Sequence, residues 1–299
     1  MSNQPHRNNV RGNNWQVEIK EIISGASGGF LFGIPLLYTM EVWFIGSYVR
    51  PPILLAVLFA TSIVVFTINR IEGFRSQDSS TLSTAIAQTI ETLAIGIVCA
   101  ALMLIILNRI DWQTSLSEAL GKIVFEGVPF SLGVVFSRSL LSGDAQVDLD
   151  QNHQTDSTQD KHPLRILWQD TVADLSATLI GAIFIAFSIA PTDEITFLAA
   201  SASPLELLII MAASLLISYG IVFSSEITNY QYRLQQPGLF QTPLSETVIS
   251  YLTSLFVGML MLWFFHKLTF DDPWLSWLRY GIILGLPASI GGAAGRLAV

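Results

Sequence analysis

The last apolar run of the chain reads GLPASIGGAAGR over residues 285–296. Nearly the same pattern, GVPFSLGVVFSR, stands 158 positions earlier over residues 127–138. Five residues recur in place: Gly127 and Gly285, Pro129 and Pro287, Ser131 and Ser289, Gly133 and Gly291, Arg138 and Arg296. Working outward, Trp15-Gln16 recurs as Trp168-Gln169 at an offset of 153. Without a gap, Gly28 then falls on Gly181, Thr39 on Thr192, Glu41 on Glu194, Phe44 on Phe197 and Pro51 on Pro204. At an offset of 162, Leu82-Ser83 falls on Leu244-Ser245, Gly96 on Gly258 and Trp112 on Trp274, before a loop deletion brings the offset to 158. One such match means little. An ordered series through four successive apolar runs reads as a duplication.

The chain has 299 residues, 51% hydrophobic and 13% charged, with a mean hydropathy of +0.54. Soluble domains carry about 25% charged residues, so half that share places the chain in a membrane. A spanning helix needs about 20 mostly apolar residues. Eight segments qualify: 18–38, 52–69, 82–108, 120–141, 167–190, 204–224, 244–266 and 274–298. The fourth is the weakest, because Lys122, Glu126 and Arg138 interrupt it. The runs do not alternate, and an open sheet cannot satisfy its backbone in lipid. The predicted fold is an all-α polytopic membrane protein, about eight transmembrane helices in two parallel four-helix repeats. The predicted units are a disordered tail over 1–17, a first repeat over 18–141, an acidic disordered linker over 142–163 and a second repeat over 164–299. An even number of helices per repeat gives both copies the same orientation. That implies a pseudo-two-fold axis along the membrane normal and a seam between the halves.

Several classes of function lose support. The net charge of −8 is not that of a nucleic-acid binder, which needs clustered Lys and Arg. The lone Cys99 can form no internal disulfide, and His6, His153, His162 and His266 have no metal-ligand spacing, so neither a metal nor another cofactor is expected. No H-E-x-x-H, G-x-S-x-G, P-loop or Rossmann fingerprint is present, and no enzymatic activity is expected. The polar N-terminus lacks the apolar core of a secretory signal. With that terminus inside, ten of the 15 Lys and Arg fall on inner segments, which predicts both termini in the cytoplasm.

Ionisable groups within the spans cost at least about 2.5–3.5 kcal/mol near a helix centre, so they turn to an interior or a water-filled cavity. The duplication acts as a filter on them. Glu21 matches Asp174, Glu41 matches Glu194, and Arg138 matches Arg296. Thr84, Gln88 and Glu91 share one helix face by spacing, and their counterparts at 162 are Glu246, Ser250 and Thr253, all polar. Glu91 reads as the deepest acid in the chain, about 13 Å from the inner end of its run at 1.5 Å per residue. One reading gathers Glu21, Glu91 and Arg138 in a polar cavity, with Asp174, Thr253 and Arg296 in a pseudo-symmetric partner. The other lets Arg138 and Arg296 snorkel to the surface and leaves Glu21 and Asp174 as interfacial residues. Glu41 and Glu194 read either as an acidic outer mouth or as residues of a solvated loop or caps of a re-entrant turn. The glycine runs GASGGFLFG and ASIGGAAG read as surfaces that let helices approach closely, or else as a backbone-lined substrate site.

The blocks GFLFGIPLLYTMEVW, AFSIAPTDEI and LGLPASIGGAAGR carry a resemblance. They are similar to an uncharacterised, largely cyanobacterial family of integral membrane proteins defined as a domain of unknown function. The likeness spans most of the chain apart from the tail and the linker. It implies a multi-pass protein of the bacterial inner or thylakoid membrane and implies nothing about mechanism.

The paired polar residues point to binding or passage of a small solute or ion along the seam. The alternative is a structural or assembly partner of other membrane complexes, which needs lateral contact surfaces and no polar path. The partners this allows are the lipid bilayer, a small ion or solute and further copies of the chain. No nucleic acid is among them.

Overall fold

The computed structural model describes residues 10–75, 82–141, 163–233 and 243–297. Residues 1–9 of the expected tail and almost all of the expected acidic linker lie outside the described residues. Regular structure among the described residues is entirely helical. The elements are α1 (Val10–Leu37), α2 (Met40–Gly46), α3 (Pro51–Arg75), α4 (Leu82–Ile106), α5 (Leu116–Leu141), α6 (Pro163–Ile189), α7 (Glu194–Ser201), α8 (Pro204–Arg233), α9 (Pro243–Phe264) and α10 (Trp274–Leu297). Helix α1 thus begins inside the segment expected to be a tail.

Local chemistry sets many of these boundaries. Helices α3, α6, α8 and α9 open on proline, whose missing N–H is one of the donors a helix start leaves unpaired. Helices α4 and α9 end on a left-handed residue that is not glycine: Asn108 at φ 55° and His266 at φ 57°. At each, the next N–H reaches back across the turn, Arg109 to the Leu104 carbonyl at 2.7 Å and Lys267 to that of Leu262 at 2.9 Å. This is the Schellman closure, which satisfies carbonyls the helix end leaves open. Helices α5 and α10 contain Pro129 and Pro287, and α1 contains Pro35.

Two features depart from eight plain spans. Helix α1 turns by 91° into α2, and α6 turns by 90° into α7. Helices α3, α4, α5, α8 and α9 are long and apolar enough to cross a membrane, and counting each bent pair as one span gives up to seven. Helix α10 has the length, 24 residues, but its glycines, serines and arginines lower its hydropathy. It is enclosed by protein instead, with residues 281–293 buried throughout.

The pairings among the first five helices recur among the second five. Helix α5 packs against α1, α2, α3 and α4, as α10 packs against α6, α7, α8 and α9. Helix α1 also meets α4, and α3 meets α4, as α6 and α8 meet α9. Four of the close crossings fall on repeated glycines. A Cβ on Gly28 or Gly133 would overlap the facing backbone of α5 or α1, and one on Gly181 or Gly291 that of α10 or α6. Bare backbone at these points lets α1 lie on α5 and α6 on α10 at short range.

Between the halves, α1 packs on α8, α1 touches α10, and α4 touches α8. A two-fold seam would repeat each contact as α6 on α3, α6 on α5 and α9 on α3. Among the described residues none of these pairs packs to a comparable extent. The expected two-fold arrangement is therefore replaced by a one-sided seam, in which unlike faces of the halves meet. One continuous core still joins them, from Ile34 and Leu104 to Ile210 and Ile283.

Candidate functional site

The structure does not gather the expected site residues into one cavity. Glu21 is exposed on α1 and Glu41 is exposed in the first turn of α2. On α4, Thr84 and Glu91 point outward and Gln88 is half-buried, so the expected polar stripe is not the one turned inward. Neither Thr84 nor Glu91 lacks a partner. The inward face runs one residue later, through Ala85, Thr89, Thr92 and Gly96. Its small side chains bring α4 close to α5, where a Cβ on Gly96 would overlap Ser131. The side chains of Arg138 on α5 and Glu246 on α9 lie outside the described residues. On α9, Ser250 is buried and Thr253 half-buried.

One expected pairing does meet. Arg296, its side chain 5% exposed, stands 3.6 Å from Asp174, 44% exposed, and so ties α10 to α6. A half-exposed carboxylate is screened by solvent, and such a pair contributes about 1 kcal/mol at most. Glu194 opens α7, with Oε2 enclosed and without a hydrogen-bond partner.

The group that stands out was not selected by the duplication. Glu126 on α5 is fully enclosed, and neither carboxylate oxygen has a hydrogen-bond partner. It shares a helix face with Phe130 and Gly133, one and two turns on. Both of those residues lie against α1, at Gly33 and Gly28. Lys122, one turn before it, is engaged elsewhere. Its Nζ donates to the Arg109 carbonyl at 2.7 Å and pairs with Glu118 at 2.7 Å. Glu126 thus has no opposite charge from its own helix. A bare carboxylate so enclosed would cost several kcal/mol, and a proton or a bound cation removes most of that cost. The interior also holds unpartnered hydroxyls: Thr92 on α4, Ser131 on α5, Ser218 on α8, and Ser250, Tyr251 and Ser254 on α9. Comparing repeats misses Glu126, because 158 positions on stands Leu284, also fully buried. The signal available in the sequence was plainer, an acid in the middle of an apolar run.

The seam between the halves is tightly closed at the end where α2 and α7 lie. The Arg109 guanidinium sits 5.4 Å from the Trp43 ring centroid and 5.2 Å from that of Phe197, and donates to Ser201 Oγ at 3.0 Å. Burial lowers the Arg109 side chain from its ordinary value, and Glu206 nearby works the other way. Tyr38 Oη donates to the Ile283 carbonyl at 2.7 Å and fixes the end of α1 to α10. Beside the clamp is a cavity of about 10 Å³, lined among others by Leu107, Ser201, Glu206 and Ile283. That is room for one water at most. Among the described residues no three His, Cys, Asp or Glu side chains come together as ligands for a metal.

Residues 21–299 match the family described as "Putative integral membrane protein (DUF2391)". No curated protein and no solved structure matches the chain. With nearly its whole length matched, the chain belongs to that family of integral membrane proteins, whose function is unknown.

Proposed function

We propose that this membrane protein binds, and passes, a proton or a small monovalent cation at Glu126, inside the first of two duplicated halves. The observation that carries the reading is the complete enclosure of Glu126 with both oxygens unpartnered and Lys122 turned to Glu118. On this reading the duplication runs α1–α5 onto α6–α10, with α1, α3, α4, α5 and their counterparts as eight crossings. The left-handed corners at Asn108 and His266 are 158 positions apart, and that offset also relates α5 to α10. It supports a register of 158 for α4 and α9, in which Thr92 answers Ser250 and Glu91 answers Ile249. Both termini lie in the cytoplasm by the bias of Lys and Arg.

A second reading keeps the protein as a non-transporting partner in a larger membrane assembly. It draws on the seam at the end where α2 and α7 lie, where the cavity of about 10 Å³ beside Arg109 has room for one water at most. Thermal unfolding of purified protein across pH and a panel of monovalent cations separates the two. The cation-site reading expects a pH or cation response that disappears in Glu126→Gln. Identical responses from wild type and variant would favour the assembly partner.

A further inference from the structure

Among the described residues, α8 covers α1 and nothing comparable covers their counterparts. At the offset of 153, α8 answers α3 and α1 answers α6. Ile217 on α8 is 9% exposed, whereas Val64 on α3 is 46% exposed. On α1, Ser27 is 7% and Ile34 0% exposed, whereas Ile180 and Phe187 on α6 are 69% and 52% exposed. In a bilayer, exposed apolar residues by themselves only imply lipid. The decisive point is their identity: the bare stripes on α3 and α6 are the counterparts of the two faces that form the internal seam. A contact between unlike faces leaves one half of each kind unused, and unused halves on separate molecules complete each other head to tail.

We propose that α6 of one copy packs against α3 of the next, repeating between molecules the α1–α8 contact that joins the halves. The occupant of both stripes is a second copy of this chain. Head-to-tail association in the plane of a membrane closes into a ring when its rotation divides the circle. The seam supplies a register for the new interface. A Cβ on Gly220 would lie 3.9 Å from Ser27 Oγ, so these residues face each other. Their counterparts are Thr67 and Ile180, both exposed. Larger side chains there hold the helices further apart than in the seam. The inference rests on the duplication proposed above and not on Glu126.

The test is disulfide trapping in native membranes with the full chain. Thr67→Cys and Ile180→Cys are made separately, tagged differently and co-expressed, and Ser27→Cys/Gly220→Cys in one chain serves as the control for the seam. Under mild oxidation the mixed Thr67→Cys and Ile180→Cys pair is expected to cross-link at least tenfold more than either variant with itself. A chain carrying both Thr67→Cys and Ile180→Cys is expected to give a ladder that stops at the ring size. Wild-type protein released into lipid nanodiscs is expected to show the same number of copies by native mass. Closure of the Ser27→Cys/Gly220→Cys bridge without the mixed cross-link would overturn the proposal and leave the seam intact. Like-with-like cross-links, or a monomeric native mass, would overturn it as well.

Discussion

On the proposed duplication, helices α5 and α10 occupy the same place in their halves, yet they are built to different ends. Each is the element on which the other four helices of its half are laid. Helix α10 is enclosed without interruption from 281 to 293, and Leu284 is one of the apolar side chains that fill it. Helix α5 carries Glu126 at the position of Leu284, and Lys122 one turn away with its own partners. The second half therefore shows what this position needs for packing alone, which is a leucine. The carboxyl in the first half adds nothing to packing that leucine does not supply. Its presence there is a reason to look for chemistry in the first half rather than the second.

The comparison breaks most visibly if the two side chains are exchanged. Leu284→Glu creates an unpartnered acid in a core that has no answer to it, and should destabilise the protein by about 3–5 kcal/mol. Glu126→Leu should be neutral or stabilising by about 1–3 kcal/mol, because it removes an unpartnered polar group. Chemical or thermal unfolding in detergent measures both. Equal losses from the two substitutions would mean that Glu126 has a structural partner after all.

The crossings of α1 on α5 and of α6 on α10 should be alike where the central helices differ. Gly133→Leu and Gly291→Leu both place a side chain against backbone that cannot move aside, and each should cost about 3 kcal/mol by overpacking. A loss in one half only would show that the glycines do not hold the two halves in the same way.

A smaller contrast lies in the loops. Asp111 accepts from Thr114 Oγ1 and from the N–H groups of Gln113 and Thr114, and these bonds hold its carboxyl below the usual range. In the second half Asp272 is held low by Thr269, and Asp193 by the Lys267 ammonium 2.7 Å away. A lowered folded value means stability that is complete above the unfolded value, about pH 3.9, and lost as pH falls through the folded one. Both halves should keep their loop order down to about pH 4 and lose it below. The second, with two such groups, should show the larger change in amide exchange. Loosening of either loop between pH 5 and 7 would contradict this.

Much of this was legible in the sequence, and what was missed has physical causes. The repeated glycines are where helices touch, because only a residue without a side chain permits that approach. The face of α4 was less legible: spacing says which residues share a face, and leaves open which face looks inward. Small residues one position on, Ala85, Thr89, Thr92 and Gly96, took the interior and left Thr84 and Glu91 outside. The offset of 162 expected for α4 differs by four residues from the 158 between the corners at Asn108 and His266. Four residues are about one helical turn, so such a slip leaves every residue on its face and escapes a pattern search. Those corners were equally hidden, since neither carries the glycine that marks many helix ends. Glu126 escaped because positions were weighed by their recurrence, and a residue that serves one half alone does not recur.

On the proposed function, Glu126 both holds a proton or small cation and lets it pass. Flux into sealed liposomes reconstituted with wild type, Glu126→Gln and Glu91→Gln tests it most directly, with a pH-sensitive dye for protons and tracer uptake for sodium and potassium. The account predicts flux above empty liposomes for wild type and for Glu91→Gln, whose side chain points outward, and at least a tenfold fall for Glu126→Gln. Equal flux in Glu126→Gln and wild type, or wild-type flux no greater than that of empty liposomes, would contradict it.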